Sequence, residues 1–199
     1  SLRRRQRQMC IRDSLKAMRR PAFDYDELIK KIRNKIPDVA IRTAFIVGYP
    51  GETDEQFNEL YEFVKRAKFD KMGVFEYSRE KNTASYSMLE QVPAKIKKQR
   101  HKKLMSLQQK ISREINEKYV GETIPCIVEG YTDDGIVLMR SQHDAPEIDG
   151  MVYATTDKAV VPGDIENVLI ERADEYDLYG SLNCLLYTSP SPRDISGSR

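Results

Sequence analysis

An α/β unit followed by a small all-β barrel is the fold class that this sequence predicts, and three observations carry it. Residues 15–119 alternate helix-period and strand-like segments. Residues 120–183 switch to short strands divided by turn signals, and the charge reverses where the period changes. The first stretch holds 23 Lys+Arg against 15 Asp+Glu, whereas the second holds 14 acids and only three bases, Arg140, Lys158 and Arg172. The chain's total of +2 therefore conceals a basic part at +8 and an acidic part at −11, changing over near Tyr119-Val120-Gly121.

The elements of the first part follow in order. Asp24 or Asp26 can cap a helix through about Ile36, with Leu28, Ile29, Ile32 and Ile36 at helical spacing; Pro37-Asp38 ends it. Val39–Val47 is mostly apolar and β-branched, the pattern of a strand covered on both faces. Gly48-Tyr49-Pro50-Gly51 breaks that strand, and Thr53 with Gln56 forms a capping box for a helix whose buried face carries Phe57, Leu60, Tyr61 and Val64. Met72–Tyr77 is a second strand, and Pro93 opens a long helix to about Lys118 with Ile96, Leu104, Leu107 and Ile111 on its buried side. This order implies right-handed parallel crossovers, as in a piece of an α/β barrel or doubly wound sheet. Two strands cannot close such a sheet, so the chain is expected to be a fragment lacking its N-terminal part.

In the second part, Thr123–Glu129, Gly135–Arg140, Met151–Ala154, Glu166–Ile170 and about Tyr176–Leu182 read as strands, with turns at Asp133-Asp134-Gly135 and Pro162-Gly163-Asp164. Five short antiparallel strands suggest a small OB-type barrel.

The two ends read differently. Residues 1–14 carry five arginines and no amphipathic period, and 184–199 form a Ser/Pro/Arg stretch. Cys184–Ser189 is what the codons TGT CTC TTA TAC ACA TCT encode, and the opposite strand of that element encodes Met9–Asp13. Both ends are therefore expected to be read-through of a sequencing-adapter element and are set apart from the fold. The resulting division is 1–14, 15–119, 120–183 and 184–199.

At 199 residues and 40% hydrophobic, the chain is long enough for one or two cores. It contains no apolar run of the ~18–20 residues that span a bilayer, so the expectation is a cytoplasmic protein with no membrane partner. Cysteines at 10, 126 and 184 are too scattered for a disulfide framework or a zinc site.

The sharpest local feature is the strand-to-helix segment Gly48-Tyr49-Pro50-Gly51-Glu52. In parallel α/β proteins, ligands bind beyond the carboxyl ends of strands, and exposed amides at a following helix start favour anions or carboxylates. An ordinary βα turn would show the same glycines. Arg42, within an apolar strand, calls for a carboxylate from the protein or from a ligand. Tyr77-Ser78 ends the next strand and can line the same pocket. Lys95, Lys97, Lys98, Arg100, Lys102 and Lys103 read as the solvated face of a helix, or else as a contact with RNA backbone. His101 and His143 lack ligand spacing, and Cys126 reads as a buried small hydrophobe.

Several of these segments also carry a resemblance. Leu15–Pro21, Arg42–Glu52 (RTAFIVGYPGE), Gly73–Ser78 (GVFEYS) and Gln91-Val92-Pro93 resemble the later part of radical S-adenosylmethionine methylthiotransferases. The second part resembles the TRAM module that follows it. Ala145–Val152 (APEIDGMV) and Ala173–Gly180 (ADEYDLYG) are similar to the branch that methylthiolates an aspartate of a small-subunit ribosomal protein.

The resemblance implies S-adenosylmethionine and two [4Fe-4S] clusters in the parent enzyme, the later half of its radical barrel in 15–119, and a TRAM domain in 120–183. It implies cofactor contact through Gly48, Tyr49, Pro50, Gly51 and Glu52, with Arg42 a further candidate for cofactor or substrate. Asp144, Glu147 and Asp149 are the substrate-binding candidates. The cluster-ligating CxxxCxxC does not occur in this sequence, so the chain alone is expected to bind no cluster and to catalyse nothing. A tRNA-modifying branch and a non-catalytic adaptor remain the alternatives. Phosphate neutralisation needs Lys and Arg, and a TRAM domain with three of them against 14 acids, at −11, repels tRNA. Its charge suits a basic small-subunit ribosomal protein instead.

Overall fold

The computed structural model describes residues 24–182; the two expected adapter segments and Leu15–Pro21 lie outside the described residues. The chain divides into two compact units, one through Asn116 and the other from Glu117. Among the described residues, no helix is long and apolar enough to cross a membrane.

The first unit begins with α1 (Tyr25–Lys35), whose start is fixed by Asp24 accepting the Glu27 N–H at 3.0 Å. Strand β1 (Arg42–Val47) is followed by helix α2 (Asp54–Ala67) and strand β2 (Lys71–Glu76). Thr53 and Gln56 form the expected reciprocal capping box of α2. At its other end the Arg33 guanidinium of α1 donates to the carbonyls of Ala67 (2.7 Å) and Lys68 (2.6 Å), satisfying acceptors that the helix leaves open. A short 3-10 turn (Ala84–Ser87) precedes the long helix α3 (Ala94–Asn116).

Strands β1 and β2 pair in parallel from Arg42 opposite Lys71 to Val47 opposite Glu76, with α2 as the crossover. One face of this pair holds the core, where Val47, Phe57, Val64, Val74, Leu104 and Ile111 are buried. Phe45, Phe63 and Phe69 meet there with ring centroids 5.8–6.4 Å apart.

The strand expected at 39–47 differs in two ways. It starts at Arg42, and its residues alternate between exposed and covered instead of being covered on both faces. Helices α2 and α3 both lie on the Val47 side, so Arg42, Ala44 and Ile46 of β1 and Phe75 of β2 are exposed on the other, Ile46 at 50% and Phe75 at 59%.

The second unit is a closed five-stranded barrel of β3 (Thr123–Tyr131), β4 (Val137–Ser141), β5 (Val152–Thr155), β6 (Ile165–Ala173) and β7 (Leu178–Leu182), in the order β3-β4-β5-β7-β6. Cys126, Val128, Val137, Met139, Val152 and Ile170 lie at its centre among the buried residues. The expected all-antiparallel pairing is corrected at one place, because β5 and β7 run parallel. A closed ring with an odd number of strands cannot alternate direction throughout, so one parallel pair is unavoidable. It falls where β7, returning antiparallel from β6, enters beside β5. Gly180 permits that return: a Cβ there would lie 2.1 Å from the Leu169 carbonyl oxygen.

Candidate functional site

The Gly48–Glu52 segment leaves the carboxyl end of β1 as a tight loop with Gly48 at φ +76° and Gly51 at φ +82°. Its shape is held from inside. Glu52 turns back so that its Oε1 accepts the Gly48 N–H at 3.0 Å. The Arg100 guanidinium, from α3, donates to that same oxygen at 2.5 Å, to the Glu52 carbonyl at 3.2 Å and to Asp54 at 2.7 Å. The Gly51 N–H goes to the Glu90 carbonyl and the Glu52 N–H to the Tyr49 carbonyl, at 2.8 and 2.9 Å.

Within the loop the amides of residues 48, 51 and 52 are spent on protein acceptors, and those of Thr53 and Gln56 on the capping box. Below the loop lies an open cleft of about 370 Å3, whose lining includes Glu52, Asp54 and Glu90 together with Arg100, which pairs with the first two. Burial pushes the Glu52 carboxyl above the usual carboxylate range, although the Gly48 N–H and Arg100 pull it the other way.

Arg100 is the residue that the sequence reading assigned elsewhere. It was expected on a solvated face and is instead 5% exposed. The signal was present, since Arg100 lies four residues from both Ile96 and Leu104 and so falls on the buried stripe of α3. Lys97 is half-buried as well. Its ammonium donates to the Tyr77 carbonyl at 2.8 Å and sits 4.9 Å from the Tyr77 ring centroid, while Lys95, Lys98, Lys102 and Lys103 are exposed.

Tyr77 does come to the loop, its ring 5.4 Å from that of Tyr49 and its hydroxyl buried with no partner. Ser78 instead donates to Glu80. Arg42 is not brought to the loop. It opens β1 at the amino end, exposed, roughly 20 Å of strand away from Gly48, so the burial that made a carboxylate partner necessary does not occur.

In the barrel, Asp144, Glu147 and Asp149 share the loop 142–150 between β4 and β5. Asp144 accepts from Ser141 Oγ at 2.5 Å and Asp149 accepts the Ala145 N–H at 2.7 Å, whereas Glu147 is exposed at φ +62°. The turn 174–177 lies against this loop. Asp177 accepts the Met151 N–H at 2.8 Å, and a Cβ on Gly150 would lie 1.8 Å from the Tyr176 carbonyl oxygen. Asp174 accepts the N–H groups of Tyr176 and Asp177 and the Tyr179 hydroxyl. Burial opposes ionisation of Asp174, yet these three donors together hold its carboxyl below the usual range.

The barrel's three bases are all engaged. Arg140 pairs with Glu129 at 2.5 Å and Lys158 with Glu166 at 2.7 Å. The Arg172 guanidinium lies 3.6 Å from the Tyr179 ring centroid, and that ring stacks on Tyr153 at 5.3 Å.

Among the described residues no group of three His, Cys, Asp or Glu side chains could hold a metal ion, and Cys126 is the one free cysteine. Burial, with Asp144 adding to it, pushes the Cys126 thiol up to about 12. A thiolate-ligated cluster does not fit these residues.

Comparison with known proteins bears on both units. Residues 120–182 match the model of the TRAM domain. The ribosomal protein uS12 methylthiotransferase RimO of Desulforamulus reducens is 45% identical over 179 residues, 88% of this chain and 40% of the relative. The RimO of Caldanaerobacter subterraneus is 46% identical over 78% of this chain and 35% of its own length. That of Carboxydothermus hydrogenoformans is 49% identical over 76% of this chain, again 35% of its own length. The chain thus spans about two fifths or less of the curated relatives that it matches.

Proposed function

This chain is a relative of the RimO methylthiotransferases with a TRAM domain as its second unit, and on that premise we propose that it works as the later portion of such an enzyme. In this reading the Gly48–Glu52 loop helps to bind S-adenosylmethionine, and the TRAM domain receives a basic small-subunit ribosomal protein whose aspartate is methylthiolated. The observation that carries the reading is the 45% identity to a uS12 methylthiotransferase over 88% of the chain, joined to a TRAM domain at −11.

The residues divide the work as follows. With the amides of residues 48, 51 and 52 spent internally, the loop serves as a rigid wall of the cleft, which Gly51 and Glu52 line. S-adenosylmethionine, when bound, supplies the radical precursor and the methyl group. Its sulfonium and ammonium groups suit a cleft in which three acids accompany one arginine. Iron–sulfur clusters do not fit the described residues, and belong in this reading to segments that the relatives have and this chain does not match.

The test is a chimaera in which this chain replaces the matching portion of the Desulforamulus RimO. The expected result is methylthiolated aspartate in uS12, read by peptide mass spectrometry, with tRNA unmodified. Modified tRNA would overturn the substrate assignment. A chimaera that assembles its clusters but modifies neither would favour the non-catalytic adaptor.

A further inference from the structure

One end of the barrel joins a concentration of acidic side chains with exposed apolar ones. Loop 142–150 and turn 174–177 contribute six acids (Asp144, Glu147, Asp149, Asp174, Glu175 and Asp177) and neither Lys nor Arg. The same two segments carry two large exposed apolar side chains, Ile148 at 74% and Tyr176 at 54% exposure. The two segments are one platform. Leu178 donates to the Met151 carbonyl at 3.0 Å, Met151 to Asp177 at 2.8 Å, and Gly150 sits directly on the Tyr176 carbonyl. Ile148 stands two positions before Gly150, at most roughly 7 Å of chain away.

Resting on the reading of the TRAM domain as the substrate-receiving part, we infer that this end of the barrel is the docking surface, and that it takes a lysine- and arginine-rich protein segment with Ile148 and Tyr176 as its apolar anchors. Charge selects the occupant. Nucleic acid carries the same sign as the rim and is repelled. A second copy would bring six further acids against these six, which opposes self-association through this face. A basic polypeptide is attracted, and its aliphatic lysine stems can cover the anchors. Exposed apolar side chains on a charged surface are the combination that a protein interface uses. Its platform is already ordered by Asp149, Asp174 and Asp177, so little conformational entropy is lost on contact.

The experiment uses the full chain and purified uS12, with a tRNA transcript as the competing probe, and reads affinity against salt. Glu147→Lys with Glu175→Lys is expected to weaken uS12 binding about tenfold or more, and Ile148→Ser with Tyr176→Ala by a similar factor. Asp133→Lys with Asp134→Lys makes the same charge change at the turn before β4, the opposite end of that strand from loop 142–150. It is expected to alter affinity by no more than about twofold at salt near 0.15 M. Equal weakening by the two charge reversals, or no effect of the apolar pair, would overturn this docking surface while leaving the basic-partner reading in place. Failure of the unaltered chain to bind uS12, or preference for tRNA, would overturn that reading itself. Thermal melting of the barrel in each variant separates lost docking from lost folding.

Discussion

The guanidinium of Arg100 donates to the same Glu52 carboxylate oxygen that accepts the Gly48 amide, so one buried ion pair holds both ends of the loop. The two side chains are only 6% and 12% exposed. Removing one partner therefore leaves an uncompensated charge in a poorly solvated place. Arg100→Ala is expected to cost the first unit about 3 kcal/mol. Arg100→Lys recovers only part of this, because one ammonium cannot serve Glu52, its carbonyl and Asp54 in the geometry of the fork. Hydrogen exchange of the α2 and α3 core amides reads this unit apart from the barrel.

Gly48 is required twice over, once by its φ of +76° and once by Lys97, whose Cγ would lie 2.4 Å from a new Cβ. Gly48→Ala is expected to destabilise by about 1–3 kcal/mol. In a Lys97→Ala background the steric part is relieved and the backbone part remains, so a double-mutant cycle should show clear coupling. Gly180→Ala offers no such relief, because the obstruction is the Leu169 backbone carbonyl. Denaturant unfolding of the four variants checks both expectations.

Asp174 and Glu52 should respond to pH in opposite senses. The carboxyl of Asp174 is held below its unfolded value, so its contribution is present above that value and disappears as pH falls through the lowered one. Asp174→Asn should flatten the acid limb of the barrel's stability curve. The carboxyl of Glu52 is raised, so its contribution is present below the unfolded value and is lost as pH rises through the folded one. Stability measured from pH 3 to 7 on wild type and on both carboxamide variants distinguishes the two.

Cys126 is 1% exposed, and its thiol is pushed up to about 12. At pH 8 almost none of it is thiolate, so iodoacetamide should leave Cys126 unmodified in the folded chain and label it in urea. Peptide mapping at Cys126 supplies the readout; rapid labelling without denaturant would contradict the buried position.

Much of this protein was written in periodicity. The capping box at Thr53 and Gln56, the stripe of α3 and the five strands of the barrel depend on neighbours within a few residues. Local spacing therefore predicted them, with strand ends shifted by a few residues. The loop at Gly48–Glu52 was visible too, because glycine and proline are needed wherever the chain must turn sharply.

Partnership was harder to read. Arg100 counted as one more charge on a basic helix until Glu52 and Asp54 were brought to it from nearly fifty residues away. The internal bonding of the loop was hidden for the same reason, since Glu90, Glu52 and Tyr49 accept the amides of residues 51, 48 and 52. Composition established that the barrel part is acidic, and folding brought the loop and the turn that hold six of those acids, with Ile148 and Tyr176, against each other. Amino-acid order settles what each short segment prefers, because propensity and capping act over a few residues. Which charges meet, and which apolar side chains stay in water, follows from contacts between segments distant along the chain.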